Sequence, residues 1–211
     1  MILWAWESPQ NLSFLDPREA GVAFLAKTFV LADRQIIARP RLQPLRVPPA
    51  TRLISVVRLE STGRGDLPAA ASLAPAIAAM ANEPGISALQ IDYDARVSER
   101  AFYRDLIGRV RERIPDGFPL SITALASWCN SDGWIAALPV REAVPMLFRM
   151  GPDRYRPGAA FRVPLCQASV GVSMDEPLAS LPRGRRVFVF HPGSWSESDY
   201  KNALQEAHRW Q

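Results

Sequence analysis

Apolar residues along this chain gather into eight short β-rich runs, at residues 2–6, 21–31, 53–60, 88–94, 120–126, 143–150, 169–175 and 187–191. Between most of them lie stretches with helical spacing or turn chemistry, at 9–19, 72–81, 98–114, 132–138 and 196–209. In the segment 98–114, Phe102, Tyr103, Leu106, Ile107, Val110 and Ile114 recur at helical spacing behind Ser98, a residue type suited to capping. Strands that alternate with helices in this way predict an α/β fold: a compact (β/α)8 TIM-barrel-like single domain over residues 1–211. Between the second and third strands the helical pattern is missing. Ala32-Asp33-Arg34 reads there as a tight turn, and the Pro-rich 39–49 as extended, so a hairpin or extended excursion replaces the second helix. A doubly wound open sheet with fewer strands is the competing architecture.

The polar positions within these runs point to a place for chemistry. In the fourth strand Gln90, Asp92 and Asp94 share one face and Leu89, Ile91 and Tyr93 the other, with the two carboxylate positions about 6–7 Å apart. They lie at the strand's C-terminal end, where parallel α/β folds build their sites. The same alternation groups Ile54, Val56, Arg58 and Glu60 in the third strand, and Ser121, Thr123 and Leu125 in the fifth. It groups Gly171, Ser173 and Asp175 in the seventh and Val187, Val189 and His191 in the eighth. In a barrel, Glu60, Asp92, Asp94 and Asp175 then converge with Arg58 and His191, and Arg149, Glu176 and Glu7 stand nearby.

Several acids in a partly dry site cannot all stay ionised without cost, so one is expected to keep its proton and serve as a general acid. Glycoside hydrolysis needs that division of labour between carboxyl groups. The catalytic candidates are Asp92, Asp94, Asp175 and Glu60, with Asp94 as proton donor tuned by Asp92. The substrate-binding candidates are Arg58, Trp128, Arg149, Glu176, His191 and Trp195. Trp4 and Trp6 on the first strand, Trp128 after the fifth and Trp195 after the eighth offer indole faces to sugar rings around one mouth, with the core the favoured place for Trp4 and Trp6. A plainer reading pairs Arg58 with Asp92 in a buried ion bridge at which nothing reacts.

Composition narrows the partners. The chain has 211 residues, 48% of them apolar, and 25 basic against 21 acidic residues, yet only Lys27 and Lys201 are lysine. The arginines are scattered, apart from Arg183, Arg185 and Arg186, and no basic stripe with interleaved aromatics suggests nucleic acid. No run is long enough for a transmembrane segment. The expected partner is a carbohydrate or other small polar ligand, with no cofactor and no metal; oligomeric state is left open. Residues 2–6 read as a core strand with no lead-in, so a protein exported to the periplasm after loss of a signal and a cytoplasmic one are both compatible. Cys129 and Cys166 form either one disulfide or two buried thiols. Neither a Gly-x-Ser-x-Gly elbow nor a dinucleotide or phosphate-loop motif occurs, and Thr62-Gly63-Arg64-Gly65 reads as a plain loop.

The strings ILWAWE, GVAFLAKTF, RLQPLRVPP, ALQIDYDA, PLSITALASWC, AVPMLFRMG, GVSMDEP and VFVFHPGSW, in this order, resemble an uncharacterised bacterial family, domain of unknown function 3142. The resemblance implies a barrel-like, often exported protein without an assigned reaction. The fourth strand also resembles that of chitinase-like glycosidase barrels, whose alternating acids end in a catalytic Glu. Here the next position of that parity is Arg96, so the carry-over is limited to Asp92 and Asp94. The expected function is therefore a glycoside hydrolase-like protein acting on a bacterial polysaccharide or cell-envelope glycan. The alternatives are a non-catalytic glycan- or partner-binding barrel and a metal-dependent hydrolase using Asp92, Asp94 and Asp175.

Overall fold

The structure, a computed structural model, describes residues 1–63, 65–150, 160–176, 181 and 183–209. Arg64 of the predicted loop lies outside the described residues. The strands are β1 (Ile2–Ala5), β2 (Gln10–Asn11), β3 (Gly21–Ala32), β4 (Gln35–Pro40), β5 (Leu45–Arg46), β6 (Leu53–Ser61), β7 (Ile86–Asp92), β8 (Leu120–Leu125), β9 (Glu142–Met146), β10 (Ser169–Ser173) and β11 (Arg186–Phe190). Eight of them, β1, β3, β6, β7, β8, β9, β10 and β11, pair in parallel around a closed barrel, with β1 joining β11 on one side and β3 on the other. The barrel is the expected fold class, and the open sheet is not formed.

The excursion after β3 is also a hairpin. β4 pairs antiparallel with the upper half of β3, from Lys27↔Pro40 to Ala32↔Gln35, above the point where β1 ends. Asp33 and Arg34 turn the chain, both with positive φ (47° and 63°), as a tight two-residue hairpin turn demands. β2 and β5 form a separate two-stranded ribbon.

The helical layer is thinner than the pattern predicts. Among the described residues the α-helices are α1 (Ala70–Ala78), α2 (Arg100–Arg111) and α3 (Glu197–Arg209). The segment 9–19 is no helix: Gln10 and Asn11 are extended, and the Asp16 carboxylate accepts the backbone N–H of Arg18 in a local turn. The segment 132–138 is no helix either, because a short π-turn at Trp128–Asp132 stops at Gly133, which takes a left-handed φ of 62°. Ser98 does not cap α2. The helix is entered through a 3-10 turn, Val97–Glu99, in which the Glu99 carboxylate reaches back to the Arg96 backbone N–H (2.8 Å).

Two apolar cores result. The larger lies between the barrel wall and its surroundings, and takes in Leu73, Ile77, Tyr103, Leu106 and Ile107 from α1 and α2. The smaller fills the barrel with Ile2, Trp4, Ala23, Ile54, Val56, Ala88, Val144 and Phe188. Gly171 makes room for the largest of these: a Cβ there would stand 3.0 Å from the Trp4 ring. Cys129 and Cys166 are joined in a disulfide, which ties the turn after β8 to the 3-10 turn before β10.

Candidate functional site

The inner faces of the strands open at their C-terminal ends into a cavity of about 420 Å³. Asp92 and Asp94 line it with Trp4, Trp6, Arg58, Thr123, Met146, Phe148, Arg149 and Phe190, among others. Trp4 is fixed from below: its Nε1–H donates to Gln90 Oε1 (2.9 Å), whose amide reaches Ser121 Oγ (3.4 Å) across β7 and β8. Trp6 leaves the end of β1, and Arg41 of the excursion holds the chain there by donating to the carbonyls of Trp6 and Ser8. Phe148 and Phe190 stack in parallel with centroids 5.6 Å apart and continue the same aromatic wall, Phe148 edge-on to Trp4 (6.4 Å) and Phe190 to Trp6 (6.1 Å).

Asp92 is the last residue of β7, partly buried, and its Oδ1 accepts the Thr123 hydroxyl from β8 (2.7 Å). Burial pushes its carboxyl up to about 6; the Thr123 hydrogen bond and the Arg58 charge pull the other way, while Asp94 and Glu60 add to the rise. Asp94, exposed at the rim, is also raised by desolvation of its carboxyl, against the pull of Arg58. No ion pair joins Arg58 to Asp92. The Arg58 guanidinium instead bonds Glu60 (Nε to Oε1, 3.0 Å) and lies over Trp6, 5.3 Å from the ring centre. The Arg58–Asp92 bridge of the plainer reading is thus replaced by an Arg58–Glu60 pair.

The other predicted residues separate. Arg149 lines the cavity with its guanidinium 5.7 Å from the centre of Phe190, and has a positive φ of 53°. Glu176 accepts the Arg149 backbone N–H (2.9 Å), which holds that strained turn in place. Asp175 is exposed and outside the cavity lining; the Ser173 hydroxyl bonds its carboxylate and draws it below the usual carboxylate range. Trp128 is buried in the outer core, edge-on to Trp134 at 4.9 Å, and offers no face to the mouth. Trp195 is buried too, its indole N–H donating to the Trp4 carbonyl (2.9 Å). Glu7 lines a separate cavity with Lys27 and Arg39.

His191 lies outside the cavity lining, because the strand carries the opposite parity from the expected one. In β11 it is Phe188 that fills the barrel and Phe190 that lines its mouth, while Val187 and Val189 face the outer core. His191 then sits at the junction with α3, its Nδ1 accepting the Gly193 N–H (3.1 Å) and its ring against Trp195. A Val-Phe-Val-Phe strand is apolar on both faces because both are covered, so alternation cannot say which face is inward. Trp4 and Trp6, assigned to the core, are the indoles that meet the cavity. Their shared parity with Ile2 on the first strand was the available signal.

No protein family, no curated protein and no solved structure matches the chain. Among the described residues no three His, Cys, Asp or Glu side chains are grouped to hold a metal ion, and Asp175 stands apart from Asp92 and Asp94. No helix of the described residues is long and apolar enough to cross a membrane.

Proposed function

We propose that the mouth of the barrel binds a bacterial polysaccharide or cell-envelope glycan and hydrolyses it by carboxyl chemistry. The observation that carries this reading is Asp92 beside Asp94 in a cavity walled by Trp4 and Trp6. Indole faces suit the C–H faces of sugar rings, and a carboxyl group whose pKa lies near 6 is still partly protonated close to neutrality. Asp92 gives its proton to the leaving oxygen as the glycosidic C–O bond breaks, and the Asp94 carboxylate stabilises the positive charge that develops on the sugar. Water then adds its oxygen to the anomeric carbon and returns a proton to Asp92. These roles reverse the expected order, in which Asp94 is the donor, because burial falls more heavily on Asp92. Membership of domain of unknown function 3142 is part of the same proposal.

The test is reducing-end release from a panel of bacterial exopolysaccharides and cell-wall glycans, with Asp92→Asn and Asp94→Asn as controls. Release that both substitutions abolish in folded protein supports the reading; undiminished release from either removes that residue from it. A second reading, a barrel that binds a glycan without cleaving it, is favoured by one observation. The only carboxylates among the described lining residues are Asp92 and Asp94, on one side of the cavity, because Glu60 is engaged by Arg58 and Asp175 lies outside. That reading expects saccharide binding which Trp6→Ala weakens, and no new reducing ends.

A further inference from the structure

Behind Arg58 a second cavity, of about 460 Å³, opens beside the first. Arg58, Asp92 and Asp94 line both. The two lobes differ in chemistry. The first is walled by indole and phenyl rings, whereas the second presents Glu60, Ser61, Arg96 and Glu99. Glu99 is held at its back by the Arg96 backbone N–H, with the Arg96 guanidinium 3.8 Å away. Beside them the Tyr93 hydroxyl is buried against Glu99 and Ser61. Arg58 spans the boundary, stacked on Trp6 of one lobe and bonded to Glu60 of the other.

We infer that the acid pair stands between two subsites of one trough, so that an extended glycan crosses it and is cut at an internal linkage. One sugar residue lies against the rings of the first lobe, and its neighbour in the same chain places its hydroxyl groups among the polar side chains of the second. A site for releasing terminal sugars would close on one side of its acids; here space continues on both sides of Asp94. The inference rests on the glycosidase reading given above and deepens it.

The experiment follows product length on soluble alginate, carboxymethylcellulose, glycol chitin and purified peptidoglycan. Size-exclusion chromatography is run beside reducing-end release for the wild type and for Ser61→Trp, which places an indole in the polar lobe from a partly exposed position at the end of β6. On the polymer that is cut, the expected result is an early fall in average length with fragments of mixed size. Ser61→Trp should lose about 100-fold in rate, because the chain can no longer cross the acids in register. Release of single sugars while polymer length persists, or an unimpaired Ser61→Trp, overturns the inference and leaves the glycosidase reading standing. Absence of release from every polymer by folded wild type overturns both. A thermal melt of Ser61→Trp separates a blocked lobe from a damaged fold, and Ser61→Leu, a smaller plug, should lose less.

Discussion

At the floor of the barrel Glu142, the first residue of β9, accepts the Ser169 hydroxyl (2.7 Å) and the Arg186 guanidinium (2.7 Å), each from the first residue of its own strand. At the mouth Asp92, the last residue of β7, accepts the Thr123 hydroxyl and has no ion-pair partner among the described residues. The two carboxyl groups belong to one barrel and are both drawn out of water, yet only one is matched by a cation. The paired carboxylate ties three strands together, whereas burial without a cation drives the Asp92 carboxyl toward its neutral form. The floor is a clasp, and the mouth holds the acid on which the proposed chemistry rests.

The largest effect should separate the ends by activity. Asp92→Asn is expected to reduce glycan turnover by about 10²–10⁴-fold, the usual worth of a positioned general acid, while Glu142→Gln leaves it within error. Loss of turnover in a folded Glu142→Gln protein would break the comparison. Next comes the disulfide, which closes a loop of sequence separation 37. Serine at both Cys129 and Cys166 should cost about 3–4 kcal/mol in urea unfolding. Hydrogen exchange should then quicken around residues 127–134, near the mouth, before it does at the floor.

Glu142→Gln itself should cost about 2–3 kcal/mol, since it leaves Arg186 facing a neutral amide in a partly buried place. The smallest effect concerns pH. The folded pKa of Asp92, about 6, lies above its ordinary 3.8, so between those values the folded state binds more protons than the unfolded one. Its contribution to stability is therefore full below about pH 4 and is lost as pH rises toward 6. Asp92→Asn should remove this decline, gaining about 1–3 kcal/mol over wild type at pH 7 and nothing near pH 4. Parallel stability profiles for the two proteins would sink the claim that burial strains this carboxyl.

How much of this the sequence displays depends on how many faces an element covers. β7 shows its barrel side through Gln90 and Asp92 and its outer side through Leu89 and Ile91, and its acids were legible because charge among apolar residues has few other reasons to be there. The hairpin after β3 was legible from turn chemistry. β11 hid its inward face because both sides are apolar, which sent His191 to the wrong place and concealed Phe190. The segments 9–19 and 132–138 carry enough apolar residues to look helical, but Asp16 and Gly133 impose turns that no periodicity reports. Asp175 followed the right parity in β10, yet the strand ends at Ser173, two residues before it. The cavity's indoles were misassigned for a different reason: Trp4 fills the barrel and lines the mouth at once, so core and site are not exclusive descriptions of it.

A closed barrel has no first or last strand, and so nothing along its rim invites another chain to pair. β4 brings such an invitation back. It is the terminal strand of the sheet, exposed along most of its length, with Ile37 46% accessible. In colloidal terms this ribbon is an open edge of the kind on which a further strand can lie. Arg39 and Pro40 stand at the end of it, one repelling its like and the other lacking an amide hydrogen to offer, so the same short segment carries both the hazard and its restraint.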